Sequence, residues 1–171
     1  MRKALLTLGI LGALCYFGAV NNPFVHDDIV FILQNPKAHD FTGISEVFAK
    51  SSFAPQSIVV ANAYYRPFLD IVYCLEYWLF GPSPQGYHLV NIVLHLVNAL
   101  LLFILTLRLT QRQSLSWCVA VLFLVHPIQS EAVACISGIS NLLFTFFLFA
   151  VLLLYIRIAD RNRELSLVKE A

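Results

Sequence analysis

Charge is what this sequence has least of. Only 12% of its 171 residues are Asp, Glu, Lys or Arg, against about a quarter in a soluble domain. The net charge of +1 leaves no basic field for nucleic acid, and no nucleic-acid motif is present. The four cysteines, Cys15, Cys74, Cys118 and Cys135, show no CxxC spacing. They read as small core or lipid-facing residues rather than a disulfide framework. Internal repeats, low-complexity segments and nucleotide-binding motifs are also missing. What is abundant is apolar surface: 59% of the chain, gathered into runs. That combination points to an all-α integral membrane protein with several spans.

Four spans are expected. The first, within residues 1–20, is "ALLTLGILGALCYFGAV" behind Arg2 and Lys3. It is near the lower limit of the ~17–25 residues that cross a hydrocarbon core. No small-x-small cleavage site follows it, so it reads as an uncleaved anchor rather than a signal peptide. The second covers 87–107. The third covers 115–136 and is interrupted at Pro127. The fourth covers 138–156, and 157–171 form a cytosolic tail. With the N-terminus inside, eight of the eleven Lys and Arg residues fall on inner segments, as the positive-inside rule requires. Seven of the ten acids then face outward.

Residues 21–86 form a large outer loop. Thr42 or Ser45 can cap a short helix near Ser45–Lys50. "RPFLDIVYCLEYWLF", Arg66 to Phe80, starts with Pro67 in a favoured first-turn position. It is too short to span and rich in aromatics, so it suits a helix lying in the membrane interface. "GPSPQG" then turns the chain into the second span.

Three polar clusters fall on the outer face. The adjacent Asp27 and Asp28 stand among Phe24, Val25, Ile29, Val30 and Phe31. Two like charges cannot share a low-dielectric pocket unpaired, so a division of labour is expected, one acid as general base and the other held by backbone or a cation. Spacings of three, four and three put His88, Asn91, His95 and Asn98 on one face of the second span. Such a stripe faces either neighbouring helices or a water-filled cleft. Asn98 reads as helix–helix glue, His88 and Asn91 as site residues. The seven-residue separation of His88 and His95 is a poor chelating spacing, and no metal site is expected. The third cluster is "HPIQSEAVACISG". Pro127 breaks the helix and frees carbonyls, and Glu131 lies near the start of the next turn. Arg66 adds a guanidinium suited to clamping phosphate. A carboxylate base beside an anion clamp at the lipid boundary points to transfer from a lipid-linked phosphate donor.

"NPFVHDDIVFILQNP", "YYRPF", "GYHLVNIVLHLVNALLL" and "LFLVHPIQSEAVACISG" occur in that order. Together they resemble the N-terminal membrane half of the transmembrane, TPR-containing protein O-mannosyltransferases and their bacterial relatives, enzymes of the GT-C type. The resemblance covers Asn21 to about Leu143. It implies many membrane helices with a large first outer loop. It also implies a polyprenyl-phosphate-linked sugar such as dolichyl-phosphate mannose, a Ser or Thr hydroxyl as acceptor, and inversion at the anomeric carbon. It makes Asp27 the general base, with Asp28 in support. Arg66 matches the YRP motif, and His126 and Glu131 match the HP…EAV motif, all in donor or acceptor binding with His88 and Asn91. No cofactor is implied. The implied partners are the lipid-linked sugar phosphate, membrane lipids and a protein acceptor. The implied location is the endoplasmic reticulum in a eukaryote or the inner membrane in a bacterium.

The sequence also departs from that pattern. Where the family reads "G-R-x-D-L-L", this chain reads "GISNLL", with Ile139 for Arg and Asn141 for Asp, as if an ion pair were lost as a unit. His26 stands where an aromatic is common. The family continues with more membrane helices, so the chain is expected to be a fragment or to need a C-terminal half or partner subunit. Two further classes stay open: a non-catalytic membrane scaffold that kept the fold, and a small transporter subunit with the His–Asn stripe along its path.

Overall fold

The computed structural model describes Arg2–His39 and Arg66–Glu170, and all regular structure among these residues is helical. The expected helix near Ser45–Lys50 lies outside the described residues.

Helix α1 is Arg2–Tyr16, followed by a 3-10 turn over Phe17–Asn21. After a short extended run the chain turns at His26 and enters a π-helical turn, Ile29–Leu33. A 3-10 turn, Pro36–His39, closes this part. Helix α2 is Pro67–Phe80, with proline at the first helical position, where its missing N–H costs nothing. It ends at Gly81, whose φ of +56° favours a residue without Cβ. Helix α3, Pro84–Thr110, starts three residues before the expected span and again opens on proline. Helix α4 is Gln113–Val125, α5 is Gln129–Ala134, and a 3-10 turn, Ile136–Gly138, leads into α6, Ile139–Glu170. Helix α6 carries on through the stretch assigned to a tail, because no Gly or Pro interrupts it.

Two helical stretches are long and apolar enough to cross a membrane: Pro84–Thr110 and Ile136–Asn162. Leu6–Asn21 and Gln113–Val125 are apolar but shorter. Helix α4 rises only about 20 Å before Pro127 stops it, against a hydrocarbon thickness of about 30 Å.

Helix α3 is the axis of the array, packed against α1, α4, α6 and α2. Small residues let the backbones approach: Ala99 of α3 and Ala120 of α4 are fully buried with Leu8, Phe103 and Leu124. Gly12 of α1 crosses Leu96 of α3 so closely that a Cβ there meets the leucine side chain. A second core gathers Ile32 of the π turn, Tyr73 of α2, Tyr87 of α3, Ile136 and Ile139. It holds the acidic turn, α2 and the start of α6 around one end of α3. A third, with Tyr16, Ile92, Val133 and Leu142, lies between these two groups.

Helix α2 is turned inside out for a water-facing helix. Asp70 and Glu76 are buried, whereas Phe68, Leu75, Trp78 and Leu79 are exposed. Phe68 meets Phe147 of α6 edge to face, so this apolar surface is continuous with that of the long α6.

Candidate functional site

Asp27 and Asp28 share a helical turn, and successive residues there point about 100° apart. The two carboxylates therefore meet opposite environments. Asp27 is exposed and Asp28 is fully buried. Asp28 accepts the Val25 N–H at 3.1 Å through one oxygen. Through the other it accepts the Ser137 N–H at 2.8 Å, across 109 residues of sequence. A buried carboxylate needs such donors. The turn is entered through His26, whose φ is +42°. That left-handed backbone at a residue with a Cβ is strain stored directly beside Asp27.

Ser137 is presented by a second irregular segment. Pro127 has no N–H and ends α4, and the chain leaves helical geometry at His126. The freed Leu124 carbonyl accepts two bonds, from the Tyr16 hydroxyl at 3.0 Å and His95 Nε2 at 3.1 Å. His126 Nδ1 accepts the Ile128 N–H at 3.2 Å and helps start α5. The turn after α5 closes through the Gly138 N–H, which donates to the Cys135 carbonyl at 3.1 Å. Gly138 lies against the Ala132 backbone, where a Cβ has no room.

All four polar residues of the α3 stripe are buried. Each bonds a backbone carbonyl of another segment: His88 to Asn22, Asn91 to Cys135 and Ile136, His95 to Leu124, Asn98 to Leu142. The stripe faces packed protein.

The candidate residues thus divide into two sets. Asp27, Arg66, His126 and Glu131 are exposed; Asp28, His88 and Asn91 are buried. Asp28, Glu131 and Asp27 all lie close enough to Cys135 to act on its thiol electrostatically. Arg66 stands at the first turn of α2, about two turns before Tyr73. Burial first, then Glu76, Asp28, Asp70 and Asp27, hold the Tyr73 phenol above its ordinary range. The acidic turn, the end of α3, α2 and the turn at residues 135–137 therefore lie together, with Glu131 near Cys135.

Ile139 is buried in the core beside Ile136, while Asn141 is exposed. Two residues apart on a helix, these positions do not face each other, so this geometry holds no ion pair between them. Glu76 was not singled out by its sequence. It is 4% exposed, neither oxygen has a hydrogen-bond partner among the described residues, and burial pushes its carboxyl up to about 8. An acid inside "YCLEYWLF" was the signal. Among the described residues no cluster of three or more His, Cys, Asp or Glu is placed to hold a metal ion.

No family profile and no solved structure matches the chain significantly. Curated proteins do. The chain is 34% identical over 169 residues to the protein O-mannosyl-transferase F38B6.6 of Caenorhabditis elegans, covering 96% of this chain and 24% of that protein. It is 32% identical to human TMTC3, also a protein O-mannosyl-transferase, over 92% of this chain and 17% of that protein. Mouse TMTC1, of the same description, is 30% identical over 87% of this chain and 16% of its own length. The chain spans a quarter or less of each of these relatives. Along nearly its whole length the chain is therefore a relative of the TMTC protein O-mannosyl-transferases.

Proposed function

We propose that the chain forms the acid-bearing membrane part of a GT-C type glycosyltransferase. It moves a sugar, mannose by the names of its relatives, from a polyprenyl-phosphate donor to a hydroxyl acceptor, a protein Ser or Thr. The observation that carries this reading is the split pair. One carboxylate is anchored by two backbone amides, and its neighbour is left exposed at the end of two membrane-length helices.

In this reading Asp27 takes the acceptor proton as general base. The acceptor oxygen bonds the anomeric carbon from the face opposite the phosphate. The carbon–oxygen bond to phosphate breaks, and its electron pair stays on the phosphate oxygen. Phosphate is already a good leaving group, so Arg66 supplies charge stabilisation and no separate acid is needed. His126 and Glu131 bind donor or acceptor from the α5 side. Helices α1 and α4 complete a four-span array with α3 and α6. The exposed Phe68, Leu75, Trp78 and Leu79 face of α2 lies in the lipid interface. The site then faces outward, toward the lumen of the endoplasmic reticulum in a eukaryote.

Incubating the full-length protein with polyprenyl-phosphate mannose or a nucleotide-activated mannose, plus a Ser/Thr peptide, tests this. Transfer from the lipid donor alone is expected. Transfer only from the nucleotide sugar, or none from either, overturns it. A second reading, a non-catalytic scaffold, draws on Ile139, an apolar core residue where the resembling enzymes carry Arg. A scaffold keeps its membrane partners when Asp27 is replaced and never shows transfer.

A further inference from the structure

The four side chains of the α3 stripe hold different things. His95 and Asn98 bond carbonyls of α4 and α6, which are regular helices. His88 and Asn91 hold the two irregular segments that meet at Asp28. His88 Nε2 lies 3.1 Å from the Asn22 carbonyl oxygen, where the chain leaves α1 for the acidic turn. A carbonyl only accepts, so Nε2 bears the ring proton. Asn91 Nδ2 donates to the Cys135 carbonyl at 2.8 Å and the Ile136 carbonyl at 3.3 Å. The next amide along, that of Ser137, donates to Asp28. Two residues on successive turns of one helix face thus fix both segments that Asp28 joins. His88 is 1% exposed and Asn91 0%, so neither touches anything outside the fold.

We propose that His88 and Asn91 are positioning residues. They are struts that set the acidic turn against the Cys135–Ser137 turn and so aim Asp27, and they do not contact donor or acceptor. The kinetic arm of the test rests on the transferase reading; the exchange arm does not.

The test uses the full-length protein with His88→Ala, His88→Gln and Asn91→Ala. Glutamine places an N–H near the imidazole Nε2 but cannot titrate as histidine does. Small misplacements of a reacting group cost up to about a hundredfold, so both alanine variants should lose at least ~10-fold in kcat with donor KM within ~2-fold. Amide hydrogen exchange over residues 22–28 and 135–138 should speed up at least ~10-fold in His88→Ala and Asn91→Ala respectively. His88→Gln should return both readouts to within ~3-fold of the unmodified protein. A His88→Gln enzyme as slow as His88→Ala, with normal exchange, would assign chemistry to the imidazole and overturn the proposal. A raised donor KM with kcat retained would make these residues ligand contacts and also overturn it. If the unmodified protein transfers nothing, the transferase reading fails and exchange alone decides. Faster exchange in the alanine variants, restored by glutamine, upholds the struts; unchanged exchange removes them. If the alanine variants do not fold, His88→Gln must still fold with normal exchange, and its failure to do so overturns the proposal.

Discussion

The two membrane-length helices, α3 and α6, are built on opposite plans. Helix α3 carries His88, Asn91, His95 and Asn98 down one side, and every one of them bonds another segment's backbone. Helix α6 carries an apolar surface with Phe144, Phe147, Val151, Leu154, Tyr155 and Ile158 exposed. Within its apolar stretch, 39% of α3 is buried against 6% of α6. Buried side-chain amides and imidazoles bond carbonyls only at fixed geometry, so α3 specifies where its neighbours stand. Exposed aliphatic and aromatic groups are satisfied by any apolar surface, lipid included, so α6 specifies little beyond its own first turns. Specificity is concentrated at the end of α3 where the acidic turn is held.

The comparison can be broken most severely at that end. Asp28→Ala leaves the Val25 and Ser137 amides without their acceptor. It should lower stability in detergent by about 3 kcal/mol, given ~1–3 kcal/mol for each buried donor left unmade. Thermal or denaturant unfolding measures this. Gly138→Ala should cost about 2 kcal/mol, because the new methyl meets the Ala132 backbone, which has little room to move. The pH dependence of stability reports on the same region through Glu76. Its folded pKa is raised from 4.5 to about 8 by burial, so the folded state binds the proton more tightly. Stability from this group is complete below pH 4.5, falls as pH rises, and is gone above about 8. Glu76→Gln should flatten the slope of melting temperature between those limits and leave the protein more stable than the unmodified form at the alkaline end. On α6 the expected effect is smallest. Leu154→Ala, at a residue 56% exposed, should change stability by less than about 0.5 kcal/mol. A loss there as large as that of Asp28→Ala would mean the α6 face is packed and the contrast with α3 is false.

Periodicity carried most of what was legible in the sequence. The 3, 4, 3 spacing of the stripe marked one face of α3, and all four residues share burial. Pro67 and Pro127 marked where a helix starts and where one stops, as their fixed φ and missing N–H require, whereas Pro84, read as part of a turn, opens α3. The motif order led to the relatives that the chain matches. Partners of the polar groups were not legible. Nothing in local pattern tells His88 that it faces the Asn22 carbonyl, 66 residues away, rather than a ligand. Nor does it tell Asp28 from Asp27, which differ by one step around a turn whose direction is set by the His26 backbone and the Ser137 amide. The expected tail at 157–171 carried no reading of its secondary structure; it continues α6, as Arg and Glu extend helices well.

The most direct measurement is mannosyl transfer by Asp27→Asn in the full-length protein, with the melting temperature of the same preparation. An exposed side chain with no packing duty, acting as general base, predicts transfer falling at least ~100-fold while the melting temperature stays unchanged. Transfer within a few-fold of the unmodified protein would contradict the assignment of Asp27 and, with it, the division of labour between the two aspartates.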